Sequence, residues 1–320
     1  LLSRAAIESC QRMQWAPDVF HLNDWHTGLL PLYLRTSYAW DELLADTKTL
    51  MTIHNIGYQG VFPVKTLEDL GLMAQRRHLA QDDLGDGIVN FLKTGLMHAD
   101  ALATVSRTYA QEIQTPEFGM GLEDLLRLRR DRLTGIVNGV DYGDWDPATD
   151  ALIEHHFSPE DMAGKAEMKR ALLEEFELDE GEGVPVFGIV SRLTGQKGFE
   201  LLREILPLLL QRYDMRLVVL GSGEKELERY FQWLRDSYPR KVATYRGYNN
   251  ALAHQIEAGA DVFLMPSRYE PCGLAQMIAM HYGTVPVARR TGGLADTIRA
   301  VEDDPELGTG FLFDDYTPEG

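Results

Sequence analysis

The chain has 320 residues, 44% of them hydrophobic and 25% charged, enough apolar material for one large core or two ordinary ones, and two domains are the expectation. Its 49 acidic side chains against 31 basic ones leave a net charge of −18 with no run of five Lys or Arg, which argues against a nucleic-acid partner and obliges any anionic ligand to find a local basic pocket. Two distant cysteines, Cys10 and Cys272, exclude a disulfide framework and a cysteine zinc site and point to a reducing compartment, and no apolar run reaches the ~20 residues of a membrane span.

The opening LLSRAAIESC has neither an initiating Met nor a signal-peptide pattern. The closing GTGFLFDDYTPEG stops on a turn-like Tyr-Thr-Pro-Glu-Gly, so the chain is expected to be a fragment. Between these ends, β-type apolar runs follow one another at 18–22 (DVFHL), 49–54 (TLMTIH), 101–106 (ALATVS), 133–138 (LTGIVN), 185–191 (PVFGIVS), 216–221 (RLVVLG), 242–247 (VATYRG), 261–267 (DVFLMPS) and 284–289 (TVPVAR). Amphipathic stretches such as KELERYFQWLRDSY at 225–238 lie between the later ones. This alternation predicts an α/β fold with parallel sheets. At 139–160 the rhythm breaks into an Asp-, Gly- and Pro-rich passage, read as the crossing between two α/β domains at 1–144 and 145–320.

Ligands of open α/β sheets sit beyond the carboxyl ends of the strands. After VFGIVS, the loop RLTGQKG carries Arg192 and Lys197 ahead of a helix expected to start near Phe199; two such cations can surround a diphosphate, or can simply be solvated charges pairing with carboxylates. After TVPVARR, Gly292 and Gly293 precede another helix, where glycines let backbone N–H groups approach an anion, unless the pair is an ordinary tight turn. Glu270 follows the run at 261–267 and should face the same crevice. With Pro271 at a first helical position, the carboxylate would lie at the positive end of a helix dipole, ionised and able to accept two sugar hydroxyls or balance an oxocarbenium charge. A capping role is the plain alternative, although Asp, Ser or Thr cap better. Cys272 reads equally as a thiol activated at that helix start or as a small buried hydrophobe.

In the first half, HLNDWHTGLLP places Asn23, Asp24, Trp25 and His26 at a strand end, and TIHNIGYQGVFP adds His54, Asn55, Tyr58 and Gln59. Rings with amides and imidazoles suit carbohydrate, whose C–H faces stack and whose hydroxyls need partners. A His in such a place is more often structural than catalytic, and no His-x-Glu or similar spacing supports a metal.

DWHTGLLP, TIHNIGYQG, VNGVDYGDWDPATD, SRLTGQKG, PSRYEPCGLAQ and RRTGGLADT, in that order across nearly the whole chain, resemble the bacterial glycogen synthases and plant starch synthases. These retaining transferases extend an α-1,4-glucan from ADP-glucose. The resemblance implies a GT-B architecture of two Rossmann-like domains facing a cleft, with the acceptor-side starch synthase catalytic domain first and the donor domain second. It assigns the donor diphosphate to Arg192, Lys197 and the backbone of Thr291, Gly292, Gly293 and Leu294. Glu270 goes to the transferred glucose, Cys272 and Gly273 to the donor site and Tyr248 to the adenine. His26 would lie at the sugar from the first domain, Asp24 and Asn138 would line the cleft, and His54, Asn55 and Tyr58 would serve the acceptor.

The resemblance further implies a front-face route in which the departing diphosphate deprotonates the acceptor 4-hydroxyl. No metal or cofactor is expected, no membrane or nucleic-acid partner, and a cytoplasmic or plastid location. The family's Lys-x-Gly-Gly loop would precede residue 1, and its closing C-terminal helix would follow residue 320. Ala275 stands where the family usually has a hydroxyl residue. Ile278 replaces the second Glu that many other retaining GT-B enzymes carry eight residues after the first, which favours the glycogen and starch synthase branch. Another GT-B transferase or an inactive glucan-binding remnant is the alternative, and UDP-glucose stays open as donor.

Overall fold

The computed structural model describes residues 1–318, so Glu319 and Gly320 of the expected closing turn lie outside the described residues. The chain separates into two compact units, Leu1–Val137 and the remainder from Asn138 onward.

The first unit carries strands β1 (Val19–Asn23), β2 (Lys48–Ile53), β3 (Val61–Pro63), β4 (Ile88–Asn90), β5 (Ala101–Thr104) and β6 (Leu133–Gly135). β1, β2, β5 and β6 lie side by side, all parallel, while β3 and β4 form a separate antiparallel pair. β2 buries Met51 and Ile53 on one face and Thr52 on the other, as a parallel strand covered on both faces requires. The second unit carries β7 (Val186–Val190), β8 (Arg216–Gly221), β9 (Val242–Arg246), β10 (Val262–Met265), β11 (Val285–Arg289) and β12 (Phe311–Phe313) in one parallel sheet ordered β12-β11-β10-β7-β8-β9. Read from β9, this is the doubly wound order 3-2-1-4-5-6, with its topological switch point between β7 and β10.

All nine β-type runs of the sequence form strands, and helices occupy Phe199–Arg212 and Lys225–Ser237 as expected. β3, β4 and β12 escaped the sequence reading because three residues are too few to show a period. A second departure concerns the helix after Glu270. It begins at Ala275, not Pro271, because Gly273 takes a left-handed φ of 70° and Leu274 is the cap. Glu270 therefore stands clear of any helix start, and its environment has a different origin.

The segment 139–157 is held on the second unit by one buried carboxylate. Asp150 accepts from the Tyr282 hydroxyl at 2.6 Å and lies 2.7 Å from His254 Nδ1, while its other oxygen accepts the Leu152 amide. Trp145 stacks flat on the His254 ring with centroids 3.6 Å apart. Removing this acceptor strands two buried polar side chains. Asp150→Ala should cost about 2–6 kcal/mol of stability, as for two buried donors left without their acceptor at about 1–3 kcal/mol each, and Tyr282→Phe about 1–2 kcal/mol; urea unfolding showing both variants within about 0.5 kcal/mol of wild type, the level of an ordinary surface change, would refute the role of Asp150 as anchor.

Candidate functional site

The switch point of the second unit makes the loops after β7 and β10 neighbours, with the loop after β11 beside them. The loop at 191–198 is tied down along its length: Leu193 N–H donates to Ser222 O, Gly195 N–H to Glu224 Oε1 and Arg268 N–H to Gln196 O. Its last residue, Gly198, has φ 70°, and a Cβ there would lie 1.8 Å from the Pro266 carbonyl oxygen. Only glycine permits that approach. It brings Lys197 Nζ within 2.6 Å of Glu270 Oε2, an ion pair whose side chains are 18% and 7% exposed.

The same oxygen accepts the Ser267 hydroxyl at 2.9 Å. A carboxylate so far from water needs such partners, and they come from Lys197 and Ser267 instead of a helix terminus. The Lys197 ammonium spends one of its three donors on Glu270. Arg192 lies on the same loop, exposed to solvent. Beyond β9, Tyr248 is 87% exposed, offering an aromatic face at the carboxyl edge of the sheet.

Thr291, Gly292, Gly293 and Leu294 pack against the Glu270 turn from the other side. A Cβ on Gly292 would fall 1.9 Å from Glu270 O and one on Gly293 2.0 Å from Cys272 O. The glycines are thus required by the neighbouring backbone. The amide of Gly293 donates to Glu270 O, that of Thr291 to Arg289 O and that of Leu294 to Thr291 O, so these three are engaged within the protein and are not bare donors. Cys272 is buried with its thiol against the Asn138 amide, and burial pushes the thiol up, away from the thiolate. With Cys272 ahead of the helix that starts at Ala275, the activated-thiol alternative has no support; it packs as a small hydrophobe.

Two side chains the sequence did not single out complete this turn. Ser267 is one. Gln276, fully buried, is the other: its Nε2 reaches Cys272 O, Gly273 O and Thr297 Oγ1 at 2.9–3.1 Å.

In the first unit, the adjacency of β1 and β2 gathers the second group. Asp24, with φ 56°, turns so that its carboxylate accepts the His54 amide at 2.8 Å, and Asn23 Oδ1 lies 2.8 Å from His54 Nε2. A non-glycine residue held at positive φ is a strained position that its partners must maintain. Trp25 and His26 stack with centroids 3.8 Å apart, leaving His26 exposed. Asn55 accepts the Gly57 amide, Gln59 bridges Asn90 and Met120 O, and Tyr58 is half exposed. Among the described residues, no group of three or more His, Cys, Asp or Glu is placed to hold a metal ion, and no helix is long and apolar enough to cross a membrane.

Residues 1–128 match the family model described as starch synthase catalytic domain, and residues 173–320 the one described as glycosyl transferases group 1. The chain is 49% identical to the glycogen synthase of Myxococcus xanthus over 316 residues, 98% of this chain and 65% of that protein. It is 49% identical to that of Koribacter versatilis over 319 residues, again 65% of the relative. The chain thus spans about 65% of the length of these curated relatives. Among solved structures, the catalytic domain of starch synthase IV from Arabidopsis thaliana, bound to ADP and acarbose, superposes with a TM-score of 0.91 at 35% identity, covering 99% of this chain and 66% of that one. Sucrose-phosphate synthase from Thermosynechococcus elongatus shares the fold alone, at a TM-score of 0.59 and 20% identity. With its two parallel sheets of GT-B type, the chain belongs to the glycogen and starch synthase family.

Proposed function

We propose that the complete protein transfers glucose from ADP-glucose to the non-reducing 4-hydroxyl of an α-1,4-glucan with retention of configuration, the second unit holding the donor and the first serving the acceptor. The observation that carries this reading is the Lys197–Glu270 pair, 2.6 Å long and largely out of water at the switch point of a doubly wound sheet. A cation and a carboxylate fixed side by side suit a ligand that carries a diphosphate next to a sugar. The ADP and acarbose in the Arabidopsis relative support an adenine nucleotide and a glucan-like acceptor.

In this mechanism Lys197 and Arg192 neutralise the leaving diphosphate, whose bond to the anomeric carbon breaks as positive charge grows on the sugar. Glu270 faces that charge. A diphosphate oxygen takes the proton of the acceptor hydroxyl, and the acceptor oxygen bonds to the anomeric carbon on the same face. Two features favour this front-face route. Glu270 is engaged by Lys197 and Ser267, and the position of a second carboxylate is occupied by buried Ile278.

Tyr248, exposed beyond β9, stacks on the adenine. His26, Asp24, His54, Asn55 and Tyr58 supply rings and hydrogen-bonding groups to sugar hydroxyls, and Asn138 adjoins the donor turn through Cys272. The bacterial relatives support a cytoplasmic location.

The complete protein should incorporate labelled glucose into glycogen from ADP-glucose in preference to UDP-glucose; incorporation from neither would sink the reading. Lys197→Ala should lower kcat about 10²–10³-fold, the usual loss for one charge-stabilising donor, and near-normal turnover would remove Lys197 from the mechanism. Tyr248→Ala should raise KM for ADP-glucose about 5- to 150-fold, the range of 1–3 kcal/mol of base stacking, with kcat unchanged and Tyr248→Phe close to wild type. An unchanged KM would place the adenine elsewhere.

A further inference from the structure

Glu270 lies at the head of a turn whose shape depends on one buried amide. Gln276 is 0% exposed, and its Nε2 donates to two successive carbonyls, Cys272 O at 3.0 Å and Gly273 O at 2.9 Å, and meets Thr297 Oγ1 at 3.1 Å. Thr297 in turn donates to Gly293 O at 2.6 Å, and Gly293 N–H donates to Glu270 O at 3.0 Å. One side chain therefore joins the Glu270 turn to the glycine pair beside it.

The peptide units concerned are planar and trans, so each carbonyl points opposite to the N–H of the following residue. With Cys272 O and Gly273 O both drawn to Gln276, the N–H groups of Gly273 and Leu274 point away from it. Neither has a partner among the described residues. The turn sits less deeply here, since Gly273 is half-buried and Leu274 is 44% exposed. A Cβ on Gly273 would lie 2.3 Å from Gln276 Oε1, so amide and turn fit without slack.

We propose that Gln276 is a positioning residue: by holding two carbonyls inward it aims the Gly273 and Leu274 amides outward, beside Glu270, as hydrogen-bond donors to hydroxyls of the transferred sugar. This rests on the reading of Glu270 as the donor-sugar residue. Gln276 itself does not touch the sugar. It acts on the sugar end of the donor, three residues from the Gly273 turn and away from Tyr248.

That division gives the test. In the complete protein, Gln276→Met keeps the length of the side chain and removes both donors. KM for ADP-glucose should rise about 10- to 100-fold, as for one or two lost hydrogen bonds, while inhibition by ADP, which has no sugar to lose, stays within about twofold and the KM for glycogen holds.

If ADP and ADP-glucose weaken together, Gln276 is merely structural and the proposal fails; it fails equally if a folded variant binds both as wild type does. Should Gln276→Met not fold, Gln276→Asn keeps an amide but draws it back by one methylene from both carbonyls. A rise in KM for ADP-glucose with ADP inhibition unchanged then supports the proposal, and unchanged values for both overturn it. A wild-type protein that transfers no glucose from ADP-glucose would instead overturn the function, which separates the two failures.

Discussion

The second unit depends on backbone approaching backbone at distances that exclude a side chain. At Gly198, Gly292 and Gly293 a Cβ would fall 1.8–2.0 Å from a carbonyl oxygen of the 266–272 turn. Three loops that follow β7, β10 and β11 are thereby pressed into one slab. Glycine costs conformational entropy wherever it is ordered, and here that cost is met by strand order: the switch between β7 and β10 makes these loops neighbours whatever their sequence. Once they are this close, the carboxylate between them loses water and must be partnered, which Lys197 and Ser267 accomplish. The ion pair is a consequence of the packing before it is an instrument of chemistry.

The first unit solves a different problem with different means. Its cluster at the ends of β1 and β2 is built from imidazoles, amides and rings, and its fixed point is Asp24, held at positive φ by the His54 amide. Charge is nearly absent from its contacts, whereas the second unit concentrates cation, carboxylate and amides at one turn. The ligands proposed for the complete protein, a neutral polyhydroxylated chain and an anionic diphosphate, would ask for that division, the former needing many weak partners and the latter a few strong ones.

Much of this was legible in the sequence because strands buried on both faces write themselves as continuous Val, Ile, Leu and Phe, and because the motifs sit where those runs end. The positions of Glu270, Lys197, His26 and His54 just beyond strand ends could be read that way. The helix start at Ala275 could not, since Pro271 satisfies the local rule for a first helical position and only the left-handed Gly273 defeats it. Ser267 and Gln276 were equally hidden. A serine at a strand end and a glutamine on a short helix carry no signal until the fold puts a carboxylate beside one and two carbonyls beside the other. The glycines of RRTGG were recognisable as special, but not the neighbouring backbone that demands them, nor the three surrounding amides bonded inside the protein.

The net charge of −18 sets the last requirement. A strongly acidic surface repels an anionic donor at long range, and screening confines any attraction to roughly 8–10 Å at physiological ionic strength. Under the proposed function, recognition of a diphosphate by such a protein would have to be local, through groups already held in position when the ligand arrives. The glycine contacts that press the loops together, the two bonds on Glu270 and the carbonyls fixed by Gln276 all remove freedom before binding, so that less remains to be lost on association. What the overall charge withholds in steering, the rigidity of the turn returns as preorganisation.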